Sequence, residues 1–261
     1  PMMTYYDQHL HTHYSYDSQA DFTDYLDNST GFVVTTEHFD VANPVTGQTD
    51  APDYATYSAE IDQLNLKYGN RILKGIEIGY YQPKEAEILA YLADKTYDLK
   101  LLSVHHNGEF DYLDDFVVEM DFDTIFSRYL DELSVAIDQN DKLQAHVLAH
   151  FDYGIRLFDV TPAELDKYKS KLIEIFQKMI AADLAFEINA KSTHLYHHLP
   201  LYTYALKMVL ELGGTLFTLG SDGHKLEHYE LAFDELKTWL KAHGVHQLVT
   251  FHGGSRHLVT I

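Results

Sequence analysis

The sequence predicts an α/β fold in which repeated strand–helix units close into a barrel. Three observations carry that reading. Short β-branched or apolar runs alternate with longer segments of helical period. Nearly every apolar run is followed by a residue type that ligates metal ions. A chain of 261 residues with 46% hydrophobic content can bury one large core. A single domain spanning 1–261 is therefore expected.

In chain order, the expected strands are Thr4–Gln8, Phe32–Thr36, Ile72–Ile78, Leu99–Val104, Ala145–Ala149, Ala185–Asn189, Thr215–Leu219 and Gln247–Phe251. Between them lie expected helices at Asp53–Tyr68, Pro83–Asp94, Asp121–Asn140, Pro162–Ala182, Leu199–Leu212 and Glu227–His243. Asp121 opens one helix, Thr161-Pro162 with Glu164 opens another, and Gly69, Gly213 and Gly244 close three. Phe39–Pro52, with two prolines and Gly47, reads as one long loop, and Asn107–Asp115 as another. There is no repeat, linker or low-complexity segment.

Composition narrows the function. The formal net charge of −21 argues against nucleic acid, whose phosphates are bound by clustered Lys and Arg. No run of about 18 uncharged apolar residues is present, and the first residues lack the basic-then-apolar pattern of an export signal, so neither a membrane nor secretion is expected. Pro1 ahead of Met2 reads as an addition to the natural start. The absence of cysteine confines any metal site to imidazole and carboxylate and fits a reducing cytoplasm. A small substrate is the expected partner, and an acidic protein binds an anion only where local cations overcome the global field.

Barrels of this kind collect their chemistry where strands end and loops begin. His9, His11 and Asp17 follow the first expected strand; Glu37 and His38 follow the second; Glu77 lies within the end of the third. His105 and His106 follow the fourth, His150 and Asp152 the fifth, Asn189 and Lys191 the sixth, Asp222 and His224 the seventh. A solvated rim is the competing reading. Yet so many acids and imidazoles on one rim would repel or remain unpaired without cations among them.

Spacing sharpens the point. In His9-Leu10-His11 the two imidazoles lie on one side of an extended chain, since side chains alternate with period two. Asp222-Gly223-His224 repeats the pattern with an acid and an imidazole. Glu77, inside Gly75-Ile76-Glu77-Ile78-Gly79, is costly among apolar neighbours unless metal-bound, and its two oxygens suit two cations. Other histidines are not assigned. His106, next to His105, points to the opposite face if the strand continues. His194, His197 and His198 open a helix-entry loop without a neighbouring acid, and Tyr14 beside Ser15 is a candidate to line the pocket.

Taken in order, Asp7-Gln8-His9-Leu10-His11-Thr12, Thr36-Glu37-His38, Gly75-Ile76-Glu77, Ser103-Val104-His105, Ala149-His150-Phe151-Asp152 and Gly220-Ser221-Asp222-Gly223-His224 resemble the polymerase and histidinol phosphatase (PHP) superfamily. The resemblance spans residues 5 to 224 and is greatest to its stand-alone histidinol-phosphate phosphatases, through chain length, Ser-Val-His, Glu187-Ile188-Asn189 and an expected last barrel strand ending near Phe251. It implies a distorted (β/α)7 TIM-like barrel and three divalent metal ions, Zn, Mn or Fe. It places His9, His11, Glu77 and Asp222 around one ion, Glu77, His105 and His150 around a second, and Asp17, His38 and His224 around the third. Many relatives carry His where this chain has Asp17, and a carboxylate is chemically acceptable there.

The expected reaction is hydrolysis of L-histidinol phosphate by a metal-bridging hydroxide, since three divalent cations outweigh the acids Glu77, Asp222 and Asp17 and attract phosphate. Arg156 and Lys191 are the expected phosphate contacts, Glu37 the partner of a substrate cation, and Asp222 or Asp152 the group that orients the nucleophile or protonates the leaving oxygen. A phosphotyrosine-protein phosphatase of the same superfamily, a metal-dependent amidohydrolase and a non-catalytic metal-binding module are the competing functions.

Overall fold

Period-two alternation within the strands decides this fold. The computed structural model describes residues 4–261; Pro1 and Met2 lie outside the described residues, as does Met3. The strands are β1 (Val33–Asn43), β2 (Gln48–Asp50), β3 (Ile72–Gly79), β4 (Leu99–Ser103), β5 (Val147–Leu148), β6 (Ala185–Asn189), β7 (Phe217–Gly220), β8 (Gln247–His252) and β9 (Ser255–Thr260). The main sheet runs β2-β1-β3-β4-β5-β6-β7. All its pairs are parallel except that of β2 with β1.

Residues 9–11 span the remaining gap between β7 and β1. The His11 amide donates to the Gly223 carbonyl (2.8 Å) and the Thr36 amide to the Leu10 carbonyl (2.8 Å), which closes the distorted (β/α)7 barrel. Thr4–Gln8, expected as a strand, forms no ladder. Side chains attach it instead: the Tyr5 hydroxyl donates to the Leu219 carbonyl (2.6 Å), and the Gln8 amide group pairs with the backbone of Val249 and Phe251 (2.8 and 2.9 Å).

Along β3, Leu73 joins the apolar cluster on the barrel floor while Ile76 and Ile78 face the surrounding helices. Period two then turns Gly75, Glu77 and Gly79 toward the barrel axis with Leu73. The same split recurs in β4, where Leu99 and Leu101 lie on the floor and Leu102 packs outward, and in β6, where Ala185 is inward and Phe186 outward. Floor positions at the strand starts are therefore apolar, and inward positions at the strand ends are polar.

Two further expectations fail. Gln247–Phe251 is β-structure, but it pairs antiparallel with β9 as a separate hairpin beneath the barrel rather than entering the main sheet. Phe39–Pro52 is no loop: β1 runs through it to Asn43, and β2 folds back antiparallel. The prolines that suggested a loop stand at the turn, Pro44, and beyond β2, Pro52.

The helices follow their caps. Asp53 and Asp121 each accept a hydrogen bond from the amide three residues on, at the starts of Tyr54–Tyr68 and Phe122–Asp138. Gly69 closes the former at φ 72°, which a residue without Cβ adopts freely. Pro162–Ala182 divides into Pro162–Asp166 and Lys169–Ala181.

Gly154, in the turn after β5, sits against buried Tyr129, and a Cβ there would overlap the ring. Gly154→Ala is expected to cost about 1–3 kcal/mol through overpacking. Denaturant unfolding checks this, and an unchanged midpoint would show that the turn has slack.

Candidate metal centre

Glu77 lies on the barrel axis, fully buried, with imidazoles on both of its oxygens. Oε1 is 3.3 Å from His9 Nε2 and 3.3 Å from His11 Nε2. Those two nitrogens stand 3.3 and 3.5 Å from Asp222 Oδ1. His9 and His11 thus lie on one side of their extended segment, as the spacing predicts. Glu77 Oε2 meets His105 Nε2 at 3.0 Å and His150 Nε2 at 2.9 Å. A third set adjoins these: His38 Nε2, His224 Nε2 and Asp17 Oδ2 form a triangle with sides of 3.2, 3.3 and 3.3 Å.

These spacings discriminate between a hydrogen-bonded cluster and a metal site. Four donors held about 2.0–2.1 Å from one ion in a tetrahedron stand about 3.3 Å from one another. The first and third sets have that edge length. Moreover, the buried atoms His9 Nε2, His11 Nε2, His38 Nδ1 and Glu77 Oε1 have no hydrogen-bond partner among the described residues. Buried polar atoms are rarely left so, and clustered lone pairs of this kind repel unless cations stand between them. The donor set, imidazole and carboxylate without sulfur, is that of a divalent-metal site.

Electrostatics of the metal-free cluster agree. Burial pulls the His9 imidazole down, but the charges of Asp222, Glu187 and Glu77 outweigh it and hold His9 well above its ordinary value. His105 is likewise raised by Asp40 and Glu77, and His38 reaches about 9 because Asp17 overcomes its burial. Glu77 is held well below its usual range by His9 and His105, despite complete burial. Protons on these imidazoles thus occupy the place that cations would fill. His224, by contrast, is depressed to about 4 by burial and by His11 and Lys191.

Other residues aim the candidate ligands. His9 Nδ1 is bonded to Glu187 Oε2 (2.6 Å), His11 Nδ1 to Ser15 Oγ (2.9 Å) and His105 Nδ1 to Asp40 Oδ1 (2.9 Å). Each such bond fixes the ring and directs its free nitrogen inward. Sequence reasoning missed Asp40 because it fell in the supposed loop; as a strand residue it sits two after His38, on the same face. Close glycines make room. A Cβ on Gly79 would overlap the Asp40 carboxylate, and one on Gly220 would overlap Glu187 Oε2. Asp222 itself adopts φ 59°, a left-handed backbone uncommon outside glycine and often found at functional sites.

A cavity of about 390 Å³ opens onto the cluster, lined among others by His105, His150, Asp222, His224, Arg156 and Lys191. Arg156 is buried between the rings of Tyr153 and Tyr196 and donates to Asp222 Oδ2 (2.9 Å) and Asn189 Oδ1 (2.9 Å). Lys191 Nζ is 2.9 Å from His224 Nδ1. Both expected cationic contacts therefore face the cavity.

Glu37 does not. Neighbouring His38 faces the cluster, so Glu37 points the other way, where its oxygens accept from the Thr12 amide and hydroxyl and from Ser15. Asp152 also lies outside the cavity: Ser192, His198 and Tyr202 donate to it, and Ser192 in turn accepts from Arg156. It braces the arginine and touches none of the candidate ligands. His198 thus has its acid in space rather than in sequence. His106 bonds the Val41 carbonyl, away from the cluster. Tyr14 packs on Phe22 and Tyr57 instead of lining the pocket, and Tyr16 lines it in its place. A larger cavity, about 920 Å³, lies around Lys100, His146 and the β8–β9 turn, remote from these donors.

A match to the PHP domain family spans residues 7–191. The histidinol-phosphatase of Lactococcus lactis is 25% identical over 257 residues, covering 95% of this chain and 94% of that protein. The probable histidinol-phosphatase of Clostridium acetobutylicum is 24% identical, covering 87% of this chain and 89% of its own length. Among solved structures, the Lactococcus lactis histidinol phosphate phosphatase, complexed with zinc, L-histidinol and phosphate, superposes with a TM-score of 0.84 at 25% identity, covering 96% of this chain and 98% of that one.

Because the raised histidines hold protons in the metal-free protein, metal uptake must expel them, and affinity must climb as pH rises toward the value of about 9 at His38. Calorimetry in buffers of different ionisation enthalpy should report proton release on zinc binding between pH 6 and 8; pH-independent affinity would contradict it. Asp40→Asn, which removes the carboxylate behind His105, is expected to lower metal affinity about 10–100-fold. Competition with a chelator of known affinity measures this, and an unaltered affinity would show that His105 needs no such support.

Proposed function

The chain belongs to the PHP domain family, and from that premise we propose that it hydrolyses L-histidinol phosphate to L-histidinol and phosphate, a step of histidine biosynthesis in the cytoplasm. The observation that carries the proposal is three interlocking sets of metal-type donors around Glu77, opening into one cavity with two cationic side chains. Relatives named histidinol-phosphatase, matched over nearly their whole length, support the substrate.

Three divalent ions, Zn, Mn or Fe, are proposed. His9, His11, Glu77 and Asp222 would hold the first, Glu77, His105 and His150 the second, and Asp17, His38 and His224 the third. Bound there, such ions supply Lewis acidity and lower the pKa of water to about 7.

The chain's own groups do the rest. Arg156, its guanidinium sandwiched between two tyrosines and anchored on Asp222, presents a fixed positive fork to a phosphate, and Lys191 adds a second charge beside His224. Burial lowers the Lys191 ammonium from its ordinary value, so an arriving dianion would favour its charged form. Of the two acids expected to handle a proton, Asp222 alone lines the cavity. Its Oδ2 is held by Arg156, which leaves Oδ1 directed at the imidazoles and at the reacting centre. The proposed substrate is thus small and phosphorylated, and the net charge of −21 disfavours a nucleic acid in its place. Among the described residues no helix is long and apolar enough to cross a membrane.

A chelator should abolish phosphate release from histidinol phosphate, and added Zn, Mn or Fe should restore it. Steady-state rates should favour histidinol phosphate over p-nitrophenyl phosphate and a phosphotyrosine peptide by at least about tenfold. Equal rates would leave a metal phosphatase of another specificity, and activity insensitive to chelation would end the proposal.

A further inference from the structure

We infer that Asp152 and His198 form a positioning pair for the phosphate contact: through Ser192 they aim the Arg156 guanidinium, and they leave its charge free for the substrate. The inference rests on the phosphatase reading above and adds to it two residues that act on the site from behind the cavity wall.

Both residues are buried, His198 immediately before the helix Leu199–Glu211. His198 Nδ1 stands 2.7 Å from Asp152 Oδ2, and its Nε2 stands 3.0 Å from the Phe158 carbonyl. A carbonyl oxygen and a carboxylate oxygen only accept, so each ring nitrogen carries a proton. The geometry therefore makes His198 an imidazolium and Asp152 its counter-ion. Burial lowers the imidazole, but the bond and charge of Asp152 outweigh it and raise His198 above its ordinary value.

The other oxygen of Asp152 reaches the arginine. Oδ1 accepts from the Ser192 hydroxyl (2.9 Å) and from the Tyr202 hydroxyl (2.7 Å). With its proton committed to Asp152, the Ser192 oxygen presents a lone pair to Arg156 Nε at 3.0 Å. Arg156 Nη2 is held at 2.9 Å by both Asn189 Oδ1 and Asp222 Oδ2. Its Nη1 bonds no group among the described residues, and it is not one of the sealed, partnerless atoms of the interior. That nitrogen is the one left for a phosphate oxygen in the cavity that Arg156 lines.

Charge completes the case. A lone carboxylate one hydroxyl away from Arg156 would offset the arginine's charge, whereas the Asp152–His198 pair contributes none in sum. Asp222, the arginine's direct acid, is itself shared with His9 and His11.

The test is the affinity of the zinc-loaded protein for inorganic phosphate, read by calorimetry, beside kcat/KM for histidinol phosphate. Ser192→Ala, Asp152→Asn and His198→Gln should each weaken phosphate binding about 5–10-fold and lower kcat/KM by a similar factor, with zinc affinity as in wild type. Ser192→Ala leaves the ion pair in place, so it tests the aiming even where loss of a charged partner disrupts folding. In an Arg156→Ala background the same substitutions should change phosphate affinity by less than about twofold, because their effect passes through that arginine. Equal losses with and without Arg156, unaltered phosphate affinity in the three variants, or wild-type phosphate affinity in Arg156→Ala would each overturn the inference. If the enzyme cleaves no histidinol phosphate, the phosphatase reading falls, while phosphate binding still decides whether the pair acts through Arg156.

Discussion

Everything in this structure is arranged around one constraint: the carboxylate of Glu77 is fully buried on the barrel axis, and each of its oxygens is surrounded by imidazole nitrogens. Such a group is tolerable only with positive charge beside it. Without ions, protons on His9, His38 and His105 supply that charge, and the cluster holds together as a set of ion pairs. The donors around Oε1, His9 and His11 with Asp222, already stand near the separations a tetrahedral cation requires. The barrel therefore carries a preorganised cluster in which protons and divalent metal would compete for the same nitrogens.

The scaffold reflects this demand. Inward positions near the strand starts carry Leu73, Leu99, Leu101 and Ala185, which fill the floor. Inward positions near the strand ends carry Glu77, Ser103, Glu187 and Asn189, joined by hydrogen bonds to the cluster or to one another. Glycines at 79 and 220 stand where a side chain would displace Asp40 or Glu187, the acids that aim His105 and His9. Closure of the barrel also places the first candidate ligands, since the segment that fills the gap between β7 and β1 is the one that carries His9 and His11.

Most of this was legible in the sequence, for a physical reason. Strand period two and the position of each acid or imidazole at a strand end follow from local pattern, so His9, His11, His38, Glu77, His105, His150, Asp222 and His224 could be gathered on one rim before any coordinates. Asp17, which departs from the family pattern, completes the third set all the same. What could not be read depended on which face a residue takes when its strand boundary is misjudged. β1 is longer than Phe32–Thr36, so Asp40 was hidden in a supposed loop. Glu37 is a pocket residue by sequence position alone, but its neighbour His38 claims that face. Asp152 follows β5 as His150 does, but the turn at Tyr153–Ile155 directs it back toward Ser192, His198 and Tyr202.

The central claim is that cations occupy the spaces between these donors, and anomalous diffraction from crystals of the metal-loaded protein tests it most directly. The account predicts three peaks, one each beside Asp222, His150 and Asp17, the first two sharing Glu77. Full loading with no ordered peak within bonding distance of Glu77 would contradict it.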